Sequence, residues 1–375
     1  MKIIHVADVH LDSKLNRHLD DRRAKERRDE LLVTFREMVE YAGRQGAEAI
    51  LIAGDLFDVA KISAMARNTV LAAILEHPGI MFYYLRGNHD ADAFLQEVKE
   101  RRGEIPGNLR LFSEEWTSYE QTGADGSSVV ITGAEMNSDN KGKLAASLAL
   151  DQKCVNLVML HGQEVETAGK MDAEVIPLRE YKNRGIDYLA LGHVHAPKLE
   201  RLDARGVYAY AGCLEGRGFD ECGPRGFYLL TISGGKVDAK FVPFAKRLMR
   251  ELPVDTSDLT DSNEALLRIR KEARVQGITE KDLVKVVLTG EISMDATFDE
   301  GYLAKALEAD FYFVKVANRT VPKVDYERFA VDASLKGEYV RQVKEAVQAG
   351  ELSADEAAEM IRLGIRLLAG EEKLS

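Results

Sequence analysis

The sequence predicts an α/β protein in which two sheets pack together with helices outside, followed by a small second α/β module and a helical tail. Three observations carry this expectation. Short β-branched runs alternate with amphipathic helical stretches over residues 2–85, which argues for an at least partly parallel sheet. Later apolar runs at 155–160 and 186–191 read as strands buried on both faces. Near Phe244–Pro253 the pattern restarts, which marks a boundary within the 375 residues.

Taken in order, residues 2–9 (KIIHVADV) form a first strand. Residues 22–44 form a helix, with Leu31, Leu32, Phe35, Met38, Val39 and Ala42 at helical spacing behind an arginine-rich start. EAILIA at 48–53 is the second strand, 63–77 a helix stopped by Pro78, and IMFYYL at 80–85 the third strand. Helical periodicity fades over 106–134, where short strand-like pieces (LRLF, SVVITG) are separated by Gly and Ser. Residues 207–211 and 226–232 alternate in a way that suits the second sheet. Beyond the boundary come helix 261–276, strand 283–288, helix 301–308 and strand 311–317, then a helical tail over 334–369. In the tail, Val340, Val343, Val347, Leu352, Ala357, Ile361, Ile365 and Leu368 are spaced for one packed face, either on the module or on a partner's coiled coil.

Composition excludes several classes. A charged fraction of 30% and 45% hydrophobic residues do not fit a disordered or fibrous chain. No run approaches the 18 apolar residues of a membrane helix, and Asp8 interrupts the apolar start, so a cytoplasmic protein is expected. Cys154, Cys213 and Cys222 form no CxxC pair and are read as small buried or partly exposed thiols. Net charge is −11, with −6 in residues 1–245 and −5 in 246–375. Such a chain does not grip nucleic acid tightly by itself, though cations in a site or a basic partner would allow it to act on phosphodiesters. The RRAKERR run at 22–28 reads either as a solvated helix face or as a backbone-phosphate contact.

Polar residues gather where strands end: Asp8-Val9-His10, Gly54-Asp55-Leu56-Phe57-Asp58, Gly87-Asn88-His89-Asp90, His161-Gly162 and Gly192-His193-Val194-His195. In open α/β sheets that edge binds ligands. Alone, each segment is weak, since DxH and GDxxD are common caps and turns. Five in this order, each after an apolar run, are specific. The segments hold five of the chain's 8 histidines. Imidazole and carboxylate without thiolate suit Mn, Fe, Zn or similar ions, and seven ligands are too many for one tetrahedral zinc. They suit two metals sharing a carboxylate. His5 lies inside the first strand and reads as a core histidine, and His18 and His77 receive no role.

This order of motifs resembles the calcineurin-like metallophosphoesterase superfamily over about residues 1–245, and within it the SbcD/Mre-eleven nucleases, most of all the bacterial YhaO-type exonuclease branch. The stretch Tyr210-Ala211-Gly212-Cys213-Leu214-Glu215 through Gly226-Phe227-Tyr228 is similar to that branch's linker. The resemblance implies a four-layer α/β/β/α nuclease domain (1–245), a small α/β capping domain (246–330) and a C-terminal helical tail (331–375) where the family contacts its partner. It implies that Asp8, His10, Asp55 and His195 hold one metal and Asp55, Asn88, His161 and His193 a second. It also implies that His89 faces the scissile phosphate and that Asp58 orients it. The implied activity is DNA exo- or endonuclease work in end processing and repair, with two divalent ions, Mn²⁺ first and Fe, Zn or Co open, and a hydroxide bridging them. The implied partners are DNA, an SbcC-like SMC-type ATPase and a second copy of the chain, in the cytoplasm near the nucleoid. A standalone phosphodiesterase or phosphatase on small nucleotides is the alternative. Val59-Ala60 and Asp90 stand where the family's protein phosphatases carry Arg-Gly and Glu, which counts against a protein phosphatase.

Overall fold

The computed structural model describes residues 1–15, 19–58, 62–90, 93–166, 175–293, 296–323 and 331–368. His18 and Val59-Ala60 lie outside them. The chain divides into two compact units, Met1–Met249 and Arg250–Ser375.

In the first unit, β1 (Lys2–Val6), β2 (Ala49–Ala53), β3 (Met81–Leu85) and β4 (Leu109–Leu111) run parallel, linked by α1 (Asp21–Gln45), α2 (Ala64–Glu76) and α3 (Ala93–Arg102). Next come β5 (Thr117–Thr122), β6 (Ser128–Gly133), α4 (Lys141–Ser147) and β7 (Val155–His161). They are followed by β8 (Gln163–Val165), β9 (Val175–Pro177), α5 (Leu178–Tyr181) and β10 (Tyr188–Gly192). The unit closes with β11 (Lys198–Arg201), β12 (Val207–Tyr210), β13 (Gly226–Ser233) and β14 (Lys236–Pro243). The first sheet has the order β14-β13-β1-β2-β3-β4 and the second β11-β12-β10-β7-β6-β5.

Strand alternation sorts the side chains into layers. Ile4, Val6, Ile50, Ile52, Phe82 and Tyr84 meet Phe35, Met38 and Val39 of α1 and Val70 and Ile74 of α2. Their neighbours Ile3, Leu51, Tyr83 and Leu85 turn the other way and pack with Leu157, Met159, Tyr188 and Ala190 of the second sheet. Val158, Leu160, Leu189 and Leu191 face outward onto Leu144, Leu178 and Tyr181. The result is the four-layer α/β/β/α arrangement.

Two expectations need correction, and three elements go unannounced. The strand at 226–232 belongs to the first sheet, antiparallel to β1, because its Phe227 joins the α1 layer while Tyr228 and Leu230 face the second sheet. The first strand stops at Val6, because the backbone leaves extended geometry at Asp8. The elements α3, α4 and β14 carry charged or small residues with weak apolar periodicity, which is why the sequence does not announce them.

Asp20 starts α1 by accepting from the Arg23 N–H, and Gly46 ends it with φ 67°. Along the RRAKERR run, Arg22 pairs with Glu26 and Arg23 with Asp20, Arg28 donates to the Lys14 carbonyl, and Arg27 is buried against Glu30 and Glu215. His77 caps the end of α2 by donating from Nδ1 to the Ala73 carbonyl. All three cysteines are free thiols.

His5 is wholly buried between the sheets, with Nδ1 2.9 Å from the Tyr188 hydroxyl and the ring stacked on Tyr228. Burial pulls its pKa down to about 3. The unfolded chain therefore takes up a proton near pH 6.5 that the folded chain refuses until about pH 3. Stability from this group is complete above that upper pH. It falls with acidification by about 1.4 kcal/mol per pH unit. A His5→Phe variant, melted without metal at pH 7 and pH 5, should show a smaller stability difference than wild type, by about 2 kcal/mol. Equal differences would remove His5 as a source of acid sensitivity.

In the second unit, β15 (Met249–Asp255), β16 (Leu283–Thr289) and β18 (Phe313–Asn318) form a three-stranded sheet under α6 (Ser262–Val275) and α7 (Glu300–Leu307). Between them β17 (Glu291–Ile292) pairs with β19 (Val321–Pro322). Leu252, Ile269, Val286, Leu303 and Val316 centre this core. The tail is two helices, α8 (Leu335–Gln348) and α9 (Ala354–Leu368). Val340 and Val343 pack on Ala357, Ile361 and Ile365, with Tyr339, Val347 and Leu352 around them. Gly364 lets the Tyr339 ring approach, since a Cβ there would lie 2.1 Å from the ring. Met360, Leu363 and Leu367 remain exposed on the other side of α9. No helix among the described residues is long and apolar enough to cross a membrane.

Candidate metal centre

Five parallel strands from both sheets end at one place. Asp8 and His10 follow β1, Asp55 and Asp58 follow β2, and Asn88 and His89 follow β3. From the second sheet, His161 ends β7, and His193 and His195 follow β10. The backbone there is bent into the left-handed region at Asp8, His10 and Asp55 (φ 49°, 49° and 53°) and at His193 (φ 98°). Such residues cost of order 1–3 kcal/mol each and persist only where surroundings impose them. Here the loops hold one another. The Asp8 and His10 N–H groups donate to the carbonyls of Gly54 and Asp55 at 3.1 and 3.0 Å. The His193 N–H donates to Asp8 at 2.8 Å, and the His89 N–H to Asp55 Oδ1 at 3.0 Å. The glycines reflect crowding. A Cβ on Gly54 would stand 2.1 Å from the His161 ring, and one on Gly87 2.2 Å from Asp55 Oδ1.

The side chains converge. Nε2 of His10 and Nε2 of His195 face each other at 3.2 Å. Asp55 Oδ2 lies 3.4 Å from His161 Nε2 and 3.8 Å from His10 Nε2, between the two groups. Asn88 Oδ1 is 3.0 Å from His161 Nε2. Ligand atoms of Asp8, His10 and His195 lie within 4.8 Å of one another, as do those of Asp8, Asp55 and His161. His193 joins through its backbone, and its ring stands edge-on against His161 at 5.4 Å. A third group clusters His10, Asp58 and His89: Asp58 Oδ1 is hydrogen-bonded to His10 Nδ1 at 3.0 Å and lies 3.1 Å from His89 Nδ1. Asp58 thus contacts two histidines, where the sequence resemblance implied that it orients one. Asp8, His10, Asp55 and His161 are buried, whereas His89 is about half exposed at the rim.

The electrostatics suit cations. Burial pushes the Asp8 carboxyl up, against the pull of His161 and His195. Burial also acts to raise Asp55, but hydrogen bonding and charge from His161 hold it well below the carboxylate range. Burial lowers His161, and the Asp55 carboxylate overcomes this and raises it to about 9. Two buried carboxylates, converging Nε2 atoms and an amide oxygen are a donor set that fits divalent metal ions.

The roles of three carboxylates here escaped sequence reasoning. Glu221 accepts from His195 Nδ1 at 2.7 Å. Burial acts to raise it, but His195 and Arg217 bring it down to about 2. Its only sequence signal is the i, i+4 pairing of Arg217 and Glu221 inside a Gly-rich linker. Asp90 accepts from the N–H groups of Leu56, Phe57 and Gly87, splicing the loops after β2 and β3. Glu135 pairs with Arg86 behind them.

The profile of the calcineurin-like phosphoesterase family matches residues 1–197. The chain belongs to the calcineurin-like phosphoesterase family. The chain is 26% identical to the uncharacterized metallophosphoesterase YhaO of Bacillus subtilis (strain 168), over 69% of its own length and 64% of that protein's. It is 28% identical to the DNA double-strand break repair protein Mre11 of Aeropyrum pernix, over 68% and 64% respectively. It is 23% identical to the SbcD component of the SbcCD nuclease of Escherichia coli (strain K12), over 64% and 67%. The chain thus spans just under two thirds of the length of the first two relatives.

Proposed function

We propose that this phosphoesterase is a two-metal phosphodiesterase that cleaves DNA, as an exo- or endonuclease in end processing and repair. The observation that carries the reading is the convergence of Asp8, His10, Asp55, His161 and His195 beneath a half-exposed His89. Asp8, His10, Asp55 and His195 would hold one ion and Asp55, Asn88, His161 and His193 the other, with Mn²⁺ the first choice. Bound there, the ions supply charge neutralisation of the phosphate and a water of lowered pKa. The chain's own residues do the rest. Asp58 keeps Nδ1 of His89 engaged, which leaves Nε2 for the substrate. From the rim, His89 would meet a non-bridging or leaving oxygen of the phosphate. Relatives named for double-strand break repair and as a nuclease support DNA as substrate. The exposed Met360, Leu363 and Leu367 on α9 offer an apolar face on which the coiled coil of an SMC-type ATPase would seat.

A second reading is favoured by charge. Residues 1–245 carry −6, and Arg22, Arg23 and Arg27 are engaged by acidic neighbours. Without a partner, such a surface suits small nucleotides better than duplex DNA. Mn²⁺-dependent cleavage of end-labelled duplex and single-stranded DNA, run beside bis-(p-nitrophenyl) phosphate and p-nitrophenyl phosphate, separates the two. We expect DNA and the diester to be cleaved and the monoester to be spared. Turnover of the small esters with intact DNA, alone and with a cognate ATPase, would replace the nuclease by the small-molecule enzyme.

A further inference from the structure

Arg217 and Glu221 touch the metal centre from a segment that supplies no metal ligand. Glu221 Oε1 receives His195 Nδ1 at 2.7 Å and Arg217 Nη2 at 3.1 Å. Its Oε2 receives the backbone N–H of Arg217 at 2.7 Å. The other arm of the guanidinium, Nη1, lies 3.5 Å from Asp58 Oδ1. Asp58 in turn holds His10 Nδ1 at 3.0 Å, and the Nε2 atoms of His10 and His195 face each other at 3.2 Å. Five side chains therefore close a ring: His10, Asp58, Arg217, Glu221, His195. Arg217 also approaches His195 Nδ1 at 3.1 Å. With Nε2 committed to an ion, Nδ1 carries the hydrogen, and both groups donate to the same carboxylate oxygen.

The segment is anchored from beneath. Arg27 Nη2 donates to Glu215 Oε2 and to the Gly216 carbonyl, each at 3.0 Å. Thr34 Oγ1 and the Lys246 N–H donate to Glu215 Oε1 at 2.8 and 2.7 Å. The buried arginine of the basic run on α1 thus fixes the residue next to Arg217.

We infer that Arg217 is a positioning residue of the first metal site. Its forked guanidinium holds Glu221 and Asp58 at the separation that aims Nε2 of His195 and of His10 at one ion. The inference rests on the two-metal reading above. Lysine cannot replace the fork, because one ammonium point charge cannot hold both carboxylates in a fixed plane. A guanidinium acting only as a charge would do the opposite of positioning, since it repels a nearby cation. The sign of the effect therefore decides.

The test is Mn²⁺ titration of the full chain, followed by calorimetry and by the electron paramagnetic resonance of free Mn²⁺, on wild type, Arg217→Gln and Arg217→Lys. Both variants should weaken one of the two ions by about 10–100-fold, the size of effect that carboxylates behind metal-bound histidines produce. The other ion should bind as in wild type. Tighter or unchanged binding in Arg217→Gln, or full affinity in Arg217→Lys, would overturn the proposal. Metal-free melting controls for folding, and Arg217→Lys, which retains charge and length, carries the test if Arg217→Gln does not fold. A wild type that binds fewer than two ions overturns the two-metal reading and this inference with it. A wild type that binds two ions yet cleaves no DNA overturns only the substrate assignment.

Discussion

Asp55→Asn should abolish turnover of every phosphodiester. The variant keeps the shape of the side chain and an oxygen for the His89 N–H, which now reaches Oδ1 at 3.0 Å. It loses the charge that sits between His10 and His161 at 3.8 and 3.4 Å. Because the proposed sites share this carboxylate, one substitution weakens both ions at once. Metal ions contribute several kcal/mol of charge stabilisation, so the loss in kcat/KM should be at least about 10³-fold. Mn²⁺ titration should show both binding steps weakened. His161, relieved of its partner, should also lose its raised pKa of about 9, which histidine NMR titration reads directly. A variant that retains a tenth of wild-type activity would show that Asp55 does not bridge.

His89→Ala should lower DNA cleavage by about 10²–10⁴-fold while leaving both ions bound. The side chain is half exposed and touches Asp58 through Nδ1, so its removal leaves the core intact. The two roles open to it differ in their dependence on the leaving group. An acid that protonates the departing oxygen matters for DNA, whose alkoxide is a poor leaving group, and little for bis-(p-nitrophenyl) phosphate, whose phenolate needs no proton. We expect the loss on DNA to exceed the loss on the small diester by at least about tenfold, within the span of acid catalysis. Equal losses would assign His89 to charge stabilisation alone. Weakened metal binding would place it among the ligands instead.

Much of this was written locally. The strands around Ile4, Ile50, Phe82, Val158 and Leu189 are short, apolar and buried on both faces, so their existence follows from composition and length. The polar residues that follow each are local too, since a strand must end and its C-terminal edge is where an open sheet binds ligands. What lay out of reach were contacts between distant segments. Glu221 looks like any acidic residue in a glycine-rich linker until the chain returns it to His195, 26 positions away. Asp90 looks like a turn residue until it accepts the N–H groups of a loop 34 positions earlier. Arg27 lies in a run of charge that reads as solvated, yet its contact with Glu215 crosses 188 positions.

The amino-acid order by itself determined the first three strands, the two helices between them, the five strand-end motifs and the donor chemistry. Each depends on neighbours within a few residues, where periodicity and turn chemistry act. The tertiary structure alone decided that β13 joins β1, that Asp58 serves two histidines, and that Arg217 and Glu221 close a ring behind the centre. Hydrogen bonds and ion pairs act over about 3 Å whatever the separation along the chain. Only the folded arrangement of two sheets brings those partners within that range.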